Sequence, residues 1–82
     1  MHILIIPKVR DGLTGLSQAE DRHEKILGRL LVVANKIAKQ EKLEGFRIVI
    51  NDGKHAGQMV FHLHVHLLAG GKPFTWPPGT SL

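Results

Sequence analysis

Val60-Phe61-His62-Leu63-His64-Val65-His66-Leu67-Leu68 alternates imidazole with aliphatic side chains. That alternation predicts a strand, because successive side chains of an extended chain point to opposite faces. The strand is read over residues 60–68, with Leu63, Val65 and Leu67 turned to a core. His62, His64 and His66 then share the other face at intervals of about 7 Å. A core histidine satisfied by a backbone partner accounts for one such residue but not for three in register. A His-x-His-x-His array could bind zinc or copper, yet a closed zinc site takes four ligands and the chain has no cysteine. The third reading is a catalytic cluster, in which one imidazole attacks while its neighbours orient it or move protons.

Outward from this stretch, residues 46–50 read as a second strand and Asn51-Asp52-Gly53 as a turn, giving an antiparallel hairpin with a nine-residue connection over residues 51–59. Gly53 and Gly57 permit positive φ and leave backbone N–H groups open to phosphate oxygens beside the histidines. The β-branched run at residues 2–6 is halted by Pro7 and reads as a strand covered on both faces. Ser17 and Glu20 stand at capping-box spacing, so the one long helix is expected to begin near Ser17. Its stripe is Ile26, Leu27, Leu30, Leu31, Val33, Ala34, Ile37 and Ala38, and its end falls near residues 39–42, with Gly45 beyond. This stripe reads as core or dimer seam, and the charged residues between as a solvated face.

The chain has 82 residues, enough for a single domain over residues 1–82 that is marginal alone. No apolar run approaches the roughly 20 residues that span a bilayer, and residues 2–6 are too short for a signal peptide. A cytoplasmic address is the expectation, or a nuclear one in a eukaryote, with no membrane partner. The net charge of +4 comes from basic residues scattered among acids, and the four aromatics do not recur as stacking platforms. A dedicated nucleic-acid module is therefore disfavoured, whereas a phosphate-bearing small molecule suits the charge.

The run His62-Leu63-His64-Val65-His66-Leu67-Leu68 resembles the signature of the histidine triad (HIT) superfamily. The resemblance to its Hint branch of nucleotide-binding phosphoramidases extends to Ile5-Ile6-Pro7-Lys8, Leu27-Gly28-Arg29-Leu30, the stretch from Phe46 to Gly53, Gly57-Gln58 and Trp76-Pro77-Pro78-Gly79. It implies an α+β fold, a HIT-like antiparallel sheet with one long helix, here truncated at the amino end to the carboxy-terminal two-thirds of the usual domain. It also implies a purine nucleoside phosphoramidase that hydrolyses the P–N bond of AMP–amine conjugates without metal or cofactor. By the same carry-over His64 is the nucleophile, His66 contacts the phosphate or leaving group and assists proton transfer, and His62 supports the orientation of His64. Asn51, Gly57, Gln58 and Met59 line the nucleotide site with His64 and His66. The resemblance further implies a homodimer in which the long helix and the strand after Gly45 meet their symmetry mates and Trp76 reaches the partner's site.

The chain departs from the family at named positions. Arg10 stands where Hint proteins commonly carry a further histidine; it can contact phosphate as a fixed cation but cannot shuttle protons. His2 is a weak substitute for that imidazole. Met59 replaces a serine that bonds phosphate, leaving only its backbone N–H, and Phe61 replaces a common tyrosine. The segments that build the base and ribose pocket have no counterpart. The alternative reading is therefore a catalytically weak or inactive dimeric nucleotide-binding or scaffold protein.

Overall fold

The computed structural model describes residues 1–70, in which β1 (His2–Ile5), α1 (Glu24–Gln40), β2 (Arg47–Val49) and β3 (Val65–Leu68) form an α+β unit. The quoted stretch faces as its alternation requires: Leu63, Val65 and Leu67 are at most 1% exposed. Only its second half is strand, however. The expected strand over residues 60–68 begins at Val65, because the Leu63 N–H donates to the Leu13 carbonyl in a neighbouring loop instead of to a strand. The connection after β2 is correspondingly longer than nine residues and contains a helical turn at Lys54–Ala56.

β3 is the central strand of an antiparallel sheet ordered β1-β3-β2. Ile3, Leu67 and Ile48 stand level across the three strands on the core face, and Leu4, His66 and Val49 stand level on the opposite face. The expectation that β1 is covered on both faces is corrected. As an edge strand it leaves Leu4 about half exposed, and only Ile5 is fully buried.

α1 lays Leu30 and Ala34 against Ile5, Leu13, Leu63, Val65 and Leu67, with Ile26, Leu27, Val33 and Ile37 packed around them. Leu31, read as part of this stripe, is instead about half exposed together with Val32. The helix starts at Glu24, not near Ser17. Ser17 spends its N–H and hydroxyl on the Asp52 carboxylate, at 3.0 and 3.2 Å, and so caps nothing. Buried His23 stands at the N-cap of α1 but makes no side-chain cap bond to it; it closes the turn before the helix, its Nδ1 accepting the Glu20 N–H at 2.9 Å while Nε2 donates to the Asp11 carbonyl at 2.9 Å. At the other end α1 stops within the expected range, but Lys42 (φ 55°) takes the left-handed position expected to need a glycine. Its N–H bonds the Lys39 carbonyl and that of Leu43 bonds Ala38.

Among the described residues no helix is long and apolar enough to cross a membrane. Trp76 and the proline-rich ending lie outside the described residues.

Candidate histidine site

The tautomer of His64 follows from its surroundings. Its Nδ1 lies 2.8 Å from the His62 carbonyl, which can only accept, so Nδ1 carries the hydrogen and the neutral ring presents a bare Nε2 lone pair. His62 thus orients the central imidazole through its backbone, not through its ring. The His62 Nε2 is itself buried with no hydrogen-bond partner among the described residues.

His66 is the buried member of the three, and its two ring nitrogens are engaged from opposite sides. Nδ1 lies 2.7 Å from Nε2 of His2, and Nε2 lies 3.4 Å from the Asn51 side-chain nitrogen. His2 pairs with Leu68 across the β1–β3 ladder, which sets it diagonal to His66 on the same face. The rings of His2 and His64 each have their centroids 5.0 Å from that of His66. Burial pushes the His66 imidazole below its usual pKa, and the positive charges that His64 and His2 can carry push it in the same direction. Both effects favour the neutral form of the His66 ring.

The structure thus brings His62, His64, His66 and Asn51 together and adds His2, which the sequence suggested only weakly. The signal was present: residue 2 is even-numbered in a strand whose odd positions, Ile3 and Ile5, face the core. Gly53 and Gly57 do adopt positive φ, at 83° and 87°, but the expectation that their N–H groups are open to phosphate is corrected: Gly53 donates to the Gln58 side-chain oxygen and Gly57 to the Lys54 carbonyl. Gln58 is turned away from the imidazoles and buried. Its side-chain oxygen accepts the Gly53 N–H at 2.7 Å, and its amide donates to the carbonyls of Thr14 (2.6 Å) and Val60 (3.0 Å). It ties the connection after β2 to the loop before α1, and Gly15 is small because these groups crowd it. A Cβ at residue 15 would lie 2.5 Å from Asp52 Oδ1 and 3.1 Å from Gln58 Oε1. Met59 is exposed, so a phosphate contact from it would use the backbone. Arg10 is exposed in the loop after β1, where its carbonyl accepts the Leu13 N–H. An apolar groove of about 580 Å³ between β1 and α1, lined by Ile5, Pro7, Val9, Leu13, Ile26 and Leu30 among others, contains none of the triad histidines.

The family model of the HIT domain matches residues 1–72, which include every described residue. The chain belongs to the HIT domain family. This HIT chain is 68% identical over 80 residues to an Arabidopsis thaliana protein named adenylylsulfatase HINT1, covering 96% of the chain and 54% of that protein. It is 66% identical over 80 residues to a Brassica juncea 14 kDa zinc-binding protein, covering 96% of the chain and 70% of the relative. Among solved structures it resembles a HIT family hydrolase from Legionella pneumophila, with a TM-score of 0.86 and 41% identity over 95% of this chain and 69% of that one. The chain thus spans between about half and 70% of the length of these proteins. Among the described residues no three His, Asp or Glu side chains are placed as a metal-ligand set, and Nε2 of His2 lies 2.7 Å from Nδ1 of His66.

Proposed function

We propose that this chain carries the nucleotidyl-transfer chemistry of a phosphoramidase, hydrolysing the P–N bond of AMP–amine conjugates. The observation that supports it is the bond from His64 Nδ1 to the His62 carbonyl, which leaves Nε2 as an aimed lone pair. In this reading Nε2 of His64 attacks the α-phosphorus, the bond to nitrogen breaks, and the amine leaves with a proton delivered at His66. Water then cleaves the nucleotidyl-histidine, releases the nucleoside monophosphate and restores His64.

The nucleotide is held by Asn51, the backbone N–H of Met59, and the loop that Gly57 bends and Gln58 fixes, the Gly57 N–H itself being donated to the Lys54 carbonyl. Gln58 contributes through that loop, since its own amide is committed to Gly53, Thr14 and Val60. In the same reading Arg10 supplies a phosphate contact, and Trp76 a contribution to a partner's site. A two-fold dimer is part of the same reading: Leu31 and Val32 on α1 and Phe46 beside β2 expose apolar surface that a second copy would cover.

A second substrate follows from the name of the Arabidopsis relative. Adenylyl sulfate presents the same α-phosphorus to the same nucleophile, with sulfate in place of the amine. The test is AMP release from adenosine 5′-phosphoramidate and from adenylyl sulfate by the wild-type chain and by His64→Ala, each checked for folding by circular dichroism. Release that is lost in His64→Ala and partly restored by imidazole in His64→Gly supports the reading. Equal release by wild type and a folded His64→Ala would falsify it, and absence of release from both would leave a nucleotide-binding scaffold.

A further inference from the structure

The chain holds two Asp-Gly pairs, Asp11-Gly12 and Asp52-Gly53. Such a pair can close on itself, because glycine has no Cβ to keep its nitrogen away from the preceding carboxyl carbon. At the second pair the fold ties down both reacting groups. The Gly53 N–H donates to the side-chain oxygen of buried Gln58 at 2.7 Å. Asp52 Oδ1 accepts the N–H and the hydroxyl of Ser17, and it is so confined that a Cβ at residue 15 would lie 2.5 Å from it. At the first pair only the carboxyl is held. Asp11 and Gly12 are exposed, and the Gly12 N–H has no hydrogen-bond partner among the described residues.

We infer that Asp11-Gly12 is a self-modification site, at which the native chain closes a succinimide and reopens it to isoaspartate, while Asp52-Gly53 is kept shut. The Gly12 nitrogen passes its hydrogen to water and attacks Cγ of Asp11 in its acid form. The bond from Cγ to its hydroxyl breaks, and one water leaves. Arg22 Nη1 donates to Asp11 Oδ1 at 3.0 Å, and His23 Nε2, which carries its hydrogen, lies 3.3 Å from Oδ2. The oxyanion formed in the attack therefore has two donors beside it. The main-chain carbonyl of Asp11, which becomes the second carbonyl of the ring, accepts from His23 Nε2 at 2.9 Å and Arg22 Nη2 at 3.4 Å. Both contacts polarise it for attack by water. Water adds there and the bond from that carbon to the Gly12 nitrogen breaks. The main chain then runs through Cβ and Cγ, with a free carboxylate on Cα. One water is lost and one regained, and no other reactant is consumed.

The place of the change gives it a reach beyond the loop. The added main-chain carbon falls inside the turn that the Leu13 N–H closes on the Arg10 carbonyl at 2.8 Å. Leu13 is 1% exposed, and its carbonyl accepts the Leu63 N–H at 2.9 Å, between His62 and His64. Isoaspartate at residue 11 therefore loosens the bond that holds the chain where the triad begins. Asp11 also has a left-handed backbone, with φ 47°, which a residue with a Cβ seldom takes. The native turn imposes that angle, and the longer link relaxes it.

The experiment ages the purified chain at neutral pH, in buffer and in urea above its unfolding midpoint. Isoaspartate is read by methyl transfer from labelled S-adenosylmethionine with an isoaspartyl methyltransferase, and is located by electron-transfer fragmentation of peptides. One hydrogen bond that must open before reaction slows it about fivefold, and Asp52-Gly53 has three to release. In buffer residue 11 should therefore convert at least about tenfold faster than residue 52. In urea the two rates should converge, because both glycine nitrogens are then free. Asp11→Glu, whose ring would need one more carbon, should lose the signal seen in buffer. Conversion should also speed hydrogen exchange at the Leu63 amide. Equal conversion of residues 11 and 52 in buffer would overturn the inference, as would conversion of both in urea and of neither in buffer. A preference for residue 11 that persists undiminished in urea would assign it to the local sequence instead of the fold, and so overturn it too. Unchanged Leu63 exchange in the converted chain would overturn the link to the histidines.

Discussion

Replacing Gln58 with glutamate changes one NH₂ group to an oxygen at a buried point where the two donors of that group are both committed. The oxygen that accepts the Gly53 N–H is unaffected, but the new oxygen faces the carbonyls of Thr14 and Val60 at 2.6 and 3.0 Å. An ionised carboxyl there would meet two acceptors, with the Asp52 carboxylate also against the loop. The least costly folded state takes up a proton and donates to one of the two carbonyls. Protonating a carboxyl of ordinary pKa near 4.3 costs about 3.7 kcal/mol at pH 7. The lost second hydrogen bond adds about 1 kcal/mol. The total, about 4.7 kcal/mol, compares with a global stability of about 4–12 kcal/mol for a domain of this length. At pH 4.5 the protonation cost falls to about 0.6 kcal/mol, so the whole penalty should shrink to about 1.6 kcal/mol. The sign is that of a group whose folded pKa is raised: its destabilisation is greatest at neutral pH and is relieved as pH falls. Urea unfolding of wild type, Gln58→Glu and Gln58→Leu at pH 7 and pH 4.5 measures this directly. Gln58→Leu strands three backbone groups and should cost about 3 kcal/mol at both pH values. A Gln58→Glu penalty that is the same at both pH values would refute the assignment of the amide as donor to both carbonyls.

Leu67→Ala removes a side chain with no exposed surface from the centre of the sheet, and urea melts should show a loss of about 2–5 kcal/mol. The depressed pKa of His66 makes the folded chain a poorer proton acceptor than the unfolded one. Its contribution to stability is therefore present above the ordinary value of 6.5 and is lost as pH falls below it through the lower folded value. Equilibrium unfolding at a series of pH values should show this slope in wild type and a weaker one in His66→Asn, and parallel curves would contradict it.

Much of the architecture is legible in the chain because period and composition act locally. The burial of Leu63, Val65 and Leu67, the end of α1 and the pairing of β2 with β3 all follow from patterns within a few residues. The start of α1 is not legible in this way. Ser17 and Glu20 have the correct spacing for a cap, but the Ser17 donors are claimed by Asp52, 35 residues away, and the turn before α1 is closed by His23 on Glu20 instead. The orientation of Gln58 fails for the same reason, since its partner Thr14 is far off in sequence. At the histidines, the motif identifies which side chains gather but not what each ring nitrogen touches. That the carbonyl of His62 orients His64, and that His2 closes on His66, depends on a bend at residue 62 and on the β1–β3 register. Neither is encoded by spacing within the motif.

The sheet order has a consequence in time. β1 and β2 are never neighbours: each pairs only with β3, which lies last of the three along the chain. A nascent polypeptide therefore has both outer strands waiting, without partners, until residues 65–68 are made, and the closing contacts span most of the described sequence. Such a topology trades folding speed for long-range closure. The strand that zips the sheet also carries His66, with Leu4 on one side and Val49 on the other. The sheet and the His2–His66 pair thus form in a single event, and an incompletely synthesised chain has no ordered imidazole pair to expose.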